Sequence, residues 1–180
     1  QLNGGIGEDS LEGGAGDDIL NGGNGDDTAV FSDQDNQVDL RLANFQNTGD
    51  GNDILISIEN VNAGGGDDTV SGNSGANTLN GEGGDDILTG NEGTDTLNGG
   101  SGDDILNGGN GDDTAVFSDQ DNQIDLRIMN NSQDTGDGSD ILTSIENINA
   151  GGGDDTLNGN SENNIFNGEG GADTLYGNDG

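Results

Sequence analysis

Aspartate recurs in this chain at a fixed distance from glycine, and that combination can hold a metal ion. Residues 13–27 read GGAGDDILNGGNGDD, so the same order of glycines and aspartates returns after nine residues. Glycine leaves backbone carbonyls uncovered, and the aspartate adds a carboxylate at the same bend. Such oxygens are the ligands of Ca²⁺, which takes six to eight at about 2.3–2.6 Å. The spacing therefore indicates a repeated site for a hard divalent cation.

The repeat has the register G-G-x-G-x-D-x-U-x, where U is a large aliphatic residue. Three units fill 4–30, six fill 63–116, and three open the array 150–180, which makes twelve units in all. Position six carries the candidate carboxylate ligand, and the glycines at positions two and four leave their carbonyls free to bind the ion. The candidates at position six are Asp9, Asp18, Asp27, Asp68, Asp86, Asp95, Asp104, Asp113, Asp155 and Asp173, with uncharged Asn77 and Asn164 in two units. The candidate glycines are Gly5, Gly7, Gly14, Gly16, Gly23, Gly25, Gly64, Gly66, Gly84, Gly93, Gly100, Gly102, Gly109, Gly111, Gly151, Gly153 and Gly171.

Other metals fit this ligand set less well. Mg²⁺ prefers a tighter octahedron with retained waters, so it is the weaker candidate. Zinc lacks its usual His or Cys ligands, because the chain contains neither residue. At Asn77 and Asn164 we expect weaker or differently ligated sites.

Two connectors, 31–62 and 117–149, interrupt the repeat and resemble each other. Residues 16–41 and 102–127 differ only at Val38 and Ile124, so the chain contains two copies of a larger unit of 86 residues. Each connector carries an alternating segment typical of a half-buried strand, then a degenerate unit that adds Asp53 or Asp140 as a candidate ligand. We expect the connectors to be wider turns of one continuous solenoid over residues 1–180.

One six-residue turn supplies too few ligands, so the turns must stack. The last three residues of each unit predict a short strand, with position eight pointing inward. Two units then complete one coil, which places unit i above unit i+2 at a strand spacing of about 4.8 Å. This predicts an ion between successive turns, shared by pairs such as Asp68 with Asp86. The acids at position five are expected to point outward into solvent.

Composition supports a metal-dependent fold and excludes several functions. Only 26% of residues are hydrophobic and the formal net charge is −35, a balance typical of disorder unless cations neutralise the carboxylates. With two arginines and no lysine, the chain lacks the basic surface that binds nucleic acid. No apolar run is long enough to span a bilayer. With no His, Cys or Lys, most catalytic bases and nucleophiles are missing, and the paired carboxylates all belong to repeated turns. We expect no enzyme activity, and we expect the chain to be a piece of a longer protein.

The nonapeptide resembles the repeats-in-toxin, or haemolysin-type calcium-binding, family, and the likeness covers nearly the whole chain. The connectors are similar to those in the C-terminal modules of serralysin-type proteases. This resemblance implies an all-β fold, a right-handed parallel β-roll with several Ca²⁺ ions in its turns. It also implies a bacterial protein exported by type I secretion, unfolded in the cytosol and folded by extracellular calcium.

Three alternatives to a plain calcium-triggered spacer remain open at the level of sequence. The chain could belong to an adhesin or surface-layer protein, serve as the accessory module of a secreted enzyme, or bind ice. Irregular residues at position nine, such as Glu12, Val30 and Thr89, argue against an ice-binding array. Calcium is the one partner that the residues indicate. We expect a monomer without membrane insertion, and any host-surface or polysaccharide partner is unidentified.

Overall fold

The chain forms short strands joined by tight turns, because β-formers occupy positions seven and eight of the repeat and glycines recur in the turns between strands. No helix occurs in the computed structural model, which describes residues 1–180. The strands are β1 (Leu2–Ile6), β2 (Ser10–Glu12), β3 (Ile19–Asn24), β4 (Thr28–Val30), β5 (Gln37–Asp39), β6 (Gln46–Asn47), β7 (Asn52–Ile56), β8 (Asn60–Asn62), β9 (Thr69–Ser71), β10 (Thr78–Gly83), β11 (Ile87–Glu92), β12 (Thr96–Ser101), β13 (Ile105–Asn110), β14 (Thr114–Val116), β15 (Gln123–Asp125), β16 (Gln133–Asp134), β17 (Ser139–Thr143), β18 (Asn147–Asn149), β19 (Thr156–Asn158), β20 (Ile165–Asn167) and β21 (Thr174–Tyr176).

Each strand in the repeat arrays pairs in parallel with the strand two units away. Leu79 in β10 lies opposite Leu97 in β12, and Leu88 in β11 lies opposite Leu106 in β13. Successive strands therefore alternate between two faces, and the predicted stacking of unit i on unit i+2 is confirmed. The front sheet has eight strands in the order β2-β4-β8-β10-β12-β14-β18-β20. The back face consists of three sheets, ordered β1-β3-β7-β6, β16-β17-β13-β11-β9-β5 and β15-β19-β21. The all-β parallel roll expected from the sequence is the fold observed.

The interior between the two faces is one side chain deep on each side. Position eight supplies it, as the pattern predicts, with Leu97 of the front sheet and Leu88 of the back face both fully buried. Twenty-three buried apolar residues form one continuous cluster along the solenoid. Phe31 and Phe117 belong to this cluster, whereas Phe45 is exposed in its connector.

The connectors do more than widen a turn. On the front sheet β4 pairs directly with β8, so that sheet passes the connector without a gap. On the back face the chain first forms β5, which pairs with β9 in the six-stranded sheet. It then reverses direction along the solenoid and forms β7, which pairs with β3 in the four-stranded sheet. The short strand β6 lies antiparallel to β7 between them.

A glutamine side chain joins the two back-face sheets at this point. The side-chain oxygen of Gln46 accepts a hydrogen bond from the backbone N–H of Asp39 at 2.7 Å, and its nitrogen donates to the Asp39 carbonyl at 3.3 Å. In the second connector Gln133 accepts from the Asp125 N–H at 2.7 Å in the same way. The side chain thus takes the place of a strand-to-strand backbone ladder.

Truncating a position-eight residue tests whether so thin a core contributes to stability. Leu97→Ala should lower the free energy of unfolding by about 2–5 kcal/mol, because the cavity it leaves has few neighbours able to collapse into it. Ile87→Ala removes an outward side chain, 42% exposed, and should cost about 1 kcal/mol or less. Urea unfolding in saturating calcium measures both, and equal losses would contradict an inward position eight.

Candidate metal centre

The turns stack into two columns, one on each edge of the solenoid. The front column leads into the front strands and the back column into the back strands. At most steps of each column a backbone N–H donates to a side chain one coil further along. At the steps from Glu59 to Asn77 and from Glu146 to Asn164, the asparagine Nδ2 instead donates to the carbonyl of the glutamate. The front column contains, in order, Asp9, Asp27, Glu59, Asn77, Asp95, Asp113, Glu146 and Asn164. The back column contains three runs. The first run is Asp18 and Asp53, the second is Asn36, Asp68, Asp86, Asp104 and Asp140, and the third is Asn122, Asp155 and Asp173.

Beyond the first coil, where Asp9 and Asp18 begin the two columns, one oxygen of each position-six aspartate is fixed by this ladder. The N–H of Asp68 donates to Oδ1 of Asp86, and the N–H of Asp86 donates to Oδ1 of Asp104, both at 2.8 Å. Because the donor is backbone from the neighbouring coil, each carboxylate is held in a single orientation. The second oxygen is therefore presented at the same place in each of these aspartate units.

In eight of the position-six aspartates the Oδ2 atom is buried and has no donor. A buried polar atom without a hydrogen-bond partner costs free energy, and a buried carboxylate oxygen costs more. A cation bound at these oxygens removes that cost and the repulsion between stacked carboxylates. The residues present therefore fit a calcium ion. The unpartnered Oδ2 atoms belong to Asp9, Asp27, Asp68, Asp86, Asp95, Asp104, Asp113 and Asp155.

Glycine makes room for these carboxylates in two ways. A Cβ at Gly81, in position one, would fall well inside van der Waals contact of Asp86 Oδ2 and 2.6 Å from the Gly99 carbonyl oxygen. At positions two and four the reason is the backbone dihedral, because all seventeen candidate glycines have φ between 68° and 156°. The glycines at position one, such as Gly81 and Gly99, do not have a positive φ. The structure shows that glycine is needed there for space instead.

No three acidic side chains converge on one point anywhere in the chain. Each turn contributes a single position-six side chain, so backbone carbonyls must supply most of the remaining ligands. This matches the sequence pattern, in which carbonyls uncovered by glycine outnumber carboxylates. It also explains why the stacked turns, and not any one turn, form the site.

Burial makes these carboxyl groups hard to ionise without a cation. It raises the pKa of Asp68 and of Asp86 to about 6 and that of Asp104 to about 7, and the negative charges of neighbouring aspartates raise them further. Burial likewise raises the pKa of Asp95, Asp113, Asp140 and Glu146. The interior of each column is thus electrostatically unfavourable until positive charge enters it.

Asp53 and Asp140 differ from the other candidates. Each Oδ1 accepts from a backbone N–H, of Asp18 or Asp104, at 2.8 Å. The second oxygen accepts from a threonine hydroxyl, that of Thr48 or Thr135. Both oxygens therefore have protein donors, which distinguishes these two carboxylates from the eight with an unpartnered Oδ2.

The units with asparagine at position six have a different turn. Asn77 Oδ1 accepts from the N–H of Asn73 at 2.8 Å, and Asn77 Nδ2 donates to the Glu59 carbonyl at 2.7 Å. Asn164 repeats this arrangement with Asn160 and Glu146. These turns close on their own hydrogen bonds, and neither Asn73 nor Gly75 has a positive φ.

The outward position-five aspartates of the back column also form a ladder. Asp85 is exposed as expected, but its Oδ1 accepts from the N–H of Asp103 at 2.9 Å, and Asp67 accepts from Asp85 at 3.0 Å. Arg41 and Arg127 lie at the connectors, where they pair with Asp39 and Asp125 at 2.8 and 2.6 Å. The guanidinium groups lower the pKa of those two aspartates.

One position-six residue of the back column is not evident from the aspartate pattern. Residues 31–39 read FSDQDNQVD, and this stretch stacks on the unit at 63–71 with the N–H of Asn36 donating to Asp68 Oδ1 at 2.7 Å. It is a nonapeptide without glycine, with Asn36 at position six and Val38 at position eight. Asn122 and Ile124 repeat it in the second copy. The aliphatic residue two places after a polar amide is the signal that could have found it.

These features define a parallel β solenoid with oxygen-rich stacked turns that fit calcium. The model of the RTX calcium-binding nonapeptide repeat, written for four copies, matches residues 1–37, 62–97, 80–115, 89–124 and 149–180. The matches cover well over half of the chain, which therefore belongs to this family and binds Ca²⁺ through its repeats. A search of curated proteins gives no significant match. None of the chain forms a helix of the length and apolarity required to span a membrane.

The raised carboxyl pKa values predict how pH acts on the calcium-free protein. A carboxyl whose pKa is raised by folding stabilises the folded state while protonated, and this is lost as pH rises through the folded pKa. Chelator-treated protein should therefore gain β-structure as pH falls from about 8 to about 5, through the pKa values of about 6 and 7 of Asp86 and Asp104. In saturating calcium the trend should reverse, because protons compete for the ligands. Circular dichroism measures both, and the same pH trend with and without calcium would contradict it.

The steric role of position-one glycine gives a second test. Gly81→Ala should displace the Asp86 carboxylate and lower the calcium affinity measured by isothermal titration. Gly83→Ala is the matched control, since a Cβ there meets the flexible Ser101 side chain, with Oγ at 3.3 Å. Equal affinities for the two variants would mean that the space beside Asp86 is not part of a site.

Proposed function

We propose that this chain is a calcium-triggered folding and spacer module of a type I-secreted bacterial protein. The observation that carries the proposal is the set of buried, unpartnered Asp Oδ2 atoms repeated through a chain of net charge −35. Such a set is unfavourable in a folded chain unless a cation accompanies it. Folding therefore depends on calcium concentration.

The proposed ligands are the interior aspartates of the two columns with the carbonyls of their turns. The carbonyl donors come from glycines at positions two and four, such as Gly84 and Gly102. Asp18 and Asp173 occupy the same register in the first and last back-column coils. Asp53, Asp140, Asn77 and Asn164 are left out of the set, because protein donors or an internally closed turn already satisfy them. The carboxylate ligands proposed are Asp9, Asp18, Asp27, Asp68, Asp86, Asp95, Asp104, Asp113, Asp155 and Asp173.

Bound calcium supplies the positive charge that lets stacked carboxylates approach one another. Without it, self-repulsion keeps the acidic chain expanded, and the thin core cannot offset the conformational entropy of ordering. Because the sites exist only in stacked turns, the free energy of binding becomes free energy of folding. Each coil contacts only its neighbours, so folding propagates cooperatively along the solenoid.

The coupling of folding to calcium binding is compatible with secretion of an unfolded chain. Extracellular calcium modules bind at around 10⁻⁴–10⁻³ M, far above cytosolic calcium. The chain would remain unfolded inside the cell, pass through a secretion channel as an extended polypeptide, and fold outside. Family membership supports this assignment, since such repeats are typical of secreted bacterial proteins.

The near-identical copies favour one second candidate, a segment of an adhesin or surface-layer protein. Residues 16–41 and 102–127 differ at one position, and the strands that they form occupy equivalent places in the roll. A long array of such units would hold a distant domain away from the cell. Many further copies in the flanking gene sequence would favour this candidate, whereas an adjoining catalytic domain would favour an accessory module.

A calcium titration followed by far-ultraviolet circular dichroism tests the main proposal. The wild-type chain should lose its β signal in excess chelator and regain it cooperatively at about 10⁻⁴–10⁻³ M calcium. Asp113→Asn removes charge at a buried position-six carboxylate and should raise the calcium midpoint by about two- to tenfold. Asp112→Asn removes the same charge at an exposed neighbour and should leave the midpoint nearly unchanged. A β-rich chain in excess chelator at pH about 8, where the carboxyl groups are ionised, would refute calcium-triggered folding.

A further inference from the structure

Asn36 lies in a cage of oxygens with its side-chain nitrogen near the centre. The residue is only 2% exposed. Its Nδ2 atom lies 2.9 Å from the carbonyl oxygens of Ser32 and Ala63, 2.5 Å from that of Gln34 and 3.1 Å from Asp68 Oδ1. Four oxygens from two successive turns therefore surround one nitrogen atom.

The second copy of the unit repeats this cage. Asn122 is fully buried, and its Nδ2 lies 2.8 Å from the carbonyl oxygens of Gln120 and Ala150. Asp155 Oδ1 is 2.9 Å away and the Ser118 carbonyl oxygen 3.3 Å. In both copies the oxygens come from positions two and four of the asparagine's own turn and from positions one and six of the next.

This oxygen set has the composition of a cation site. A neutral amide has two N–H donors, so four close acceptors exceed what it can satisfy. Elsewhere in the back column the same register holds an aspartate whose Oδ2 has no donor, as at Asp86 and Asp104. The asparagine differs from those aspartates in presenting a donor where they present an oxygen.

The opposite end of the run is also satisfied by a protein donor. The back-column run that begins at Asn36 ends at Asp140, whose second oxygen accepts from the Thr135 hydroxyl. Between them Asp68, Asp86 and Asp104 each have an unpartnered carboxylate oxygen. The Oδ1 atoms of Asn36 and Asn122, which lie beside Gly49 and Gly136, are also buried without a partner, so at the asparagines it is Nδ2 that is satisfied. Asn122 then begins the next run. The column is thus bounded by protein donors at each connector.

We propose that the Asn36 and Asn122 amides fill two cation sites with the protein's own nitrogen, which divides the back column of calcium ions into separate segments. This inference rests on the proposed function, because it assumes that the aspartate sites bind calcium. It follows that the coils at 31–36 and 117–122 close without an ion of their own. A carboxylate in place of either amide would open a new calcium site.

The test counts the calcium bound to the whole chain. After equilibrium dialysis at saturating calcium, metal analysis should show one additional ion for Asn36→Asp, one for Asn122→Asp and two for the double variant. Asn24→Asp adds the same charge at the exposed end of β3 and should bind the wild-type number. An unchanged count for Asn36→Asp and Asn122→Asp, in chains that fold in calcium, would overturn the inference.

A second measurement covers the case in which the variants do not fold. Anomalous diffraction from wild-type crystals grown in calcium should show peaks beside Asp86 and Asp104 and none in the Asn36 and Asn122 cages. A peak in either cage would mean that the amide turns its oxygen inward to bind calcium, and the inference would be wrong. Absence of peaks at every aspartate would instead refute the proposed function, so the two failures are distinguishable.

Discussion

The fold depends on one repeated contact, a backbone N–H that holds one oxygen of a buried aspartate and leaves the other without a partner. The hydrogen bond from Asp68 to Asp86 Oδ1 fixes the carboxylate, and the geometry of the turn aims Oδ2 into the column. A single buried carboxylate oxygen without a partner would lower the stability of the fold only modestly. Stacked at strand spacing, the contacts create a line of negative charge that only cations can neutralise.

The rest of the architecture is consistent with this constraint. The apolar interior is one side chain deep on each face, so it aligns the strands but contributes less burial than an ordinary core of the same length. Glycine occupies the turns because a side chain at position one would collide with the carboxylate and because positions two and four need positive φ. Low hydrophobicity and high charge, which usually mean disorder, are here the composition of a calcium-binding solenoid.

Periodicity was enough to predict the regular part of the molecule. The nine-residue register gave the inward position of Leu88 and Leu97, the stacking of alternate units and the oxygen-rich turns. It could not give the contacts made at irregular separations. The partners Asn36 and Asp68 are 32 residues apart, and Asp104 and Asp140 are 36 apart, so their pairing depends on how each connector folds back. The Gln46 bridge and the Thr48 hydroxyl are invisible to the pattern for the same reason, because each is a single side chain placed by tertiary structure.

Because the front sheet is unbroken, each 86-residue unit adds a fixed length to the solenoid. Because β4 pairs directly with β8, the connector adds no gap on that side. One unit, counted from β4 to β14, adds four strands to the front sheet: β8, β10, β12 and β14. At about 4.8 Å per strand this is an increment of roughly 19 Å along the axis. Gene duplication of the unit would therefore lengthen the rod in fixed steps without disturbing the strand order on either side of the insertion.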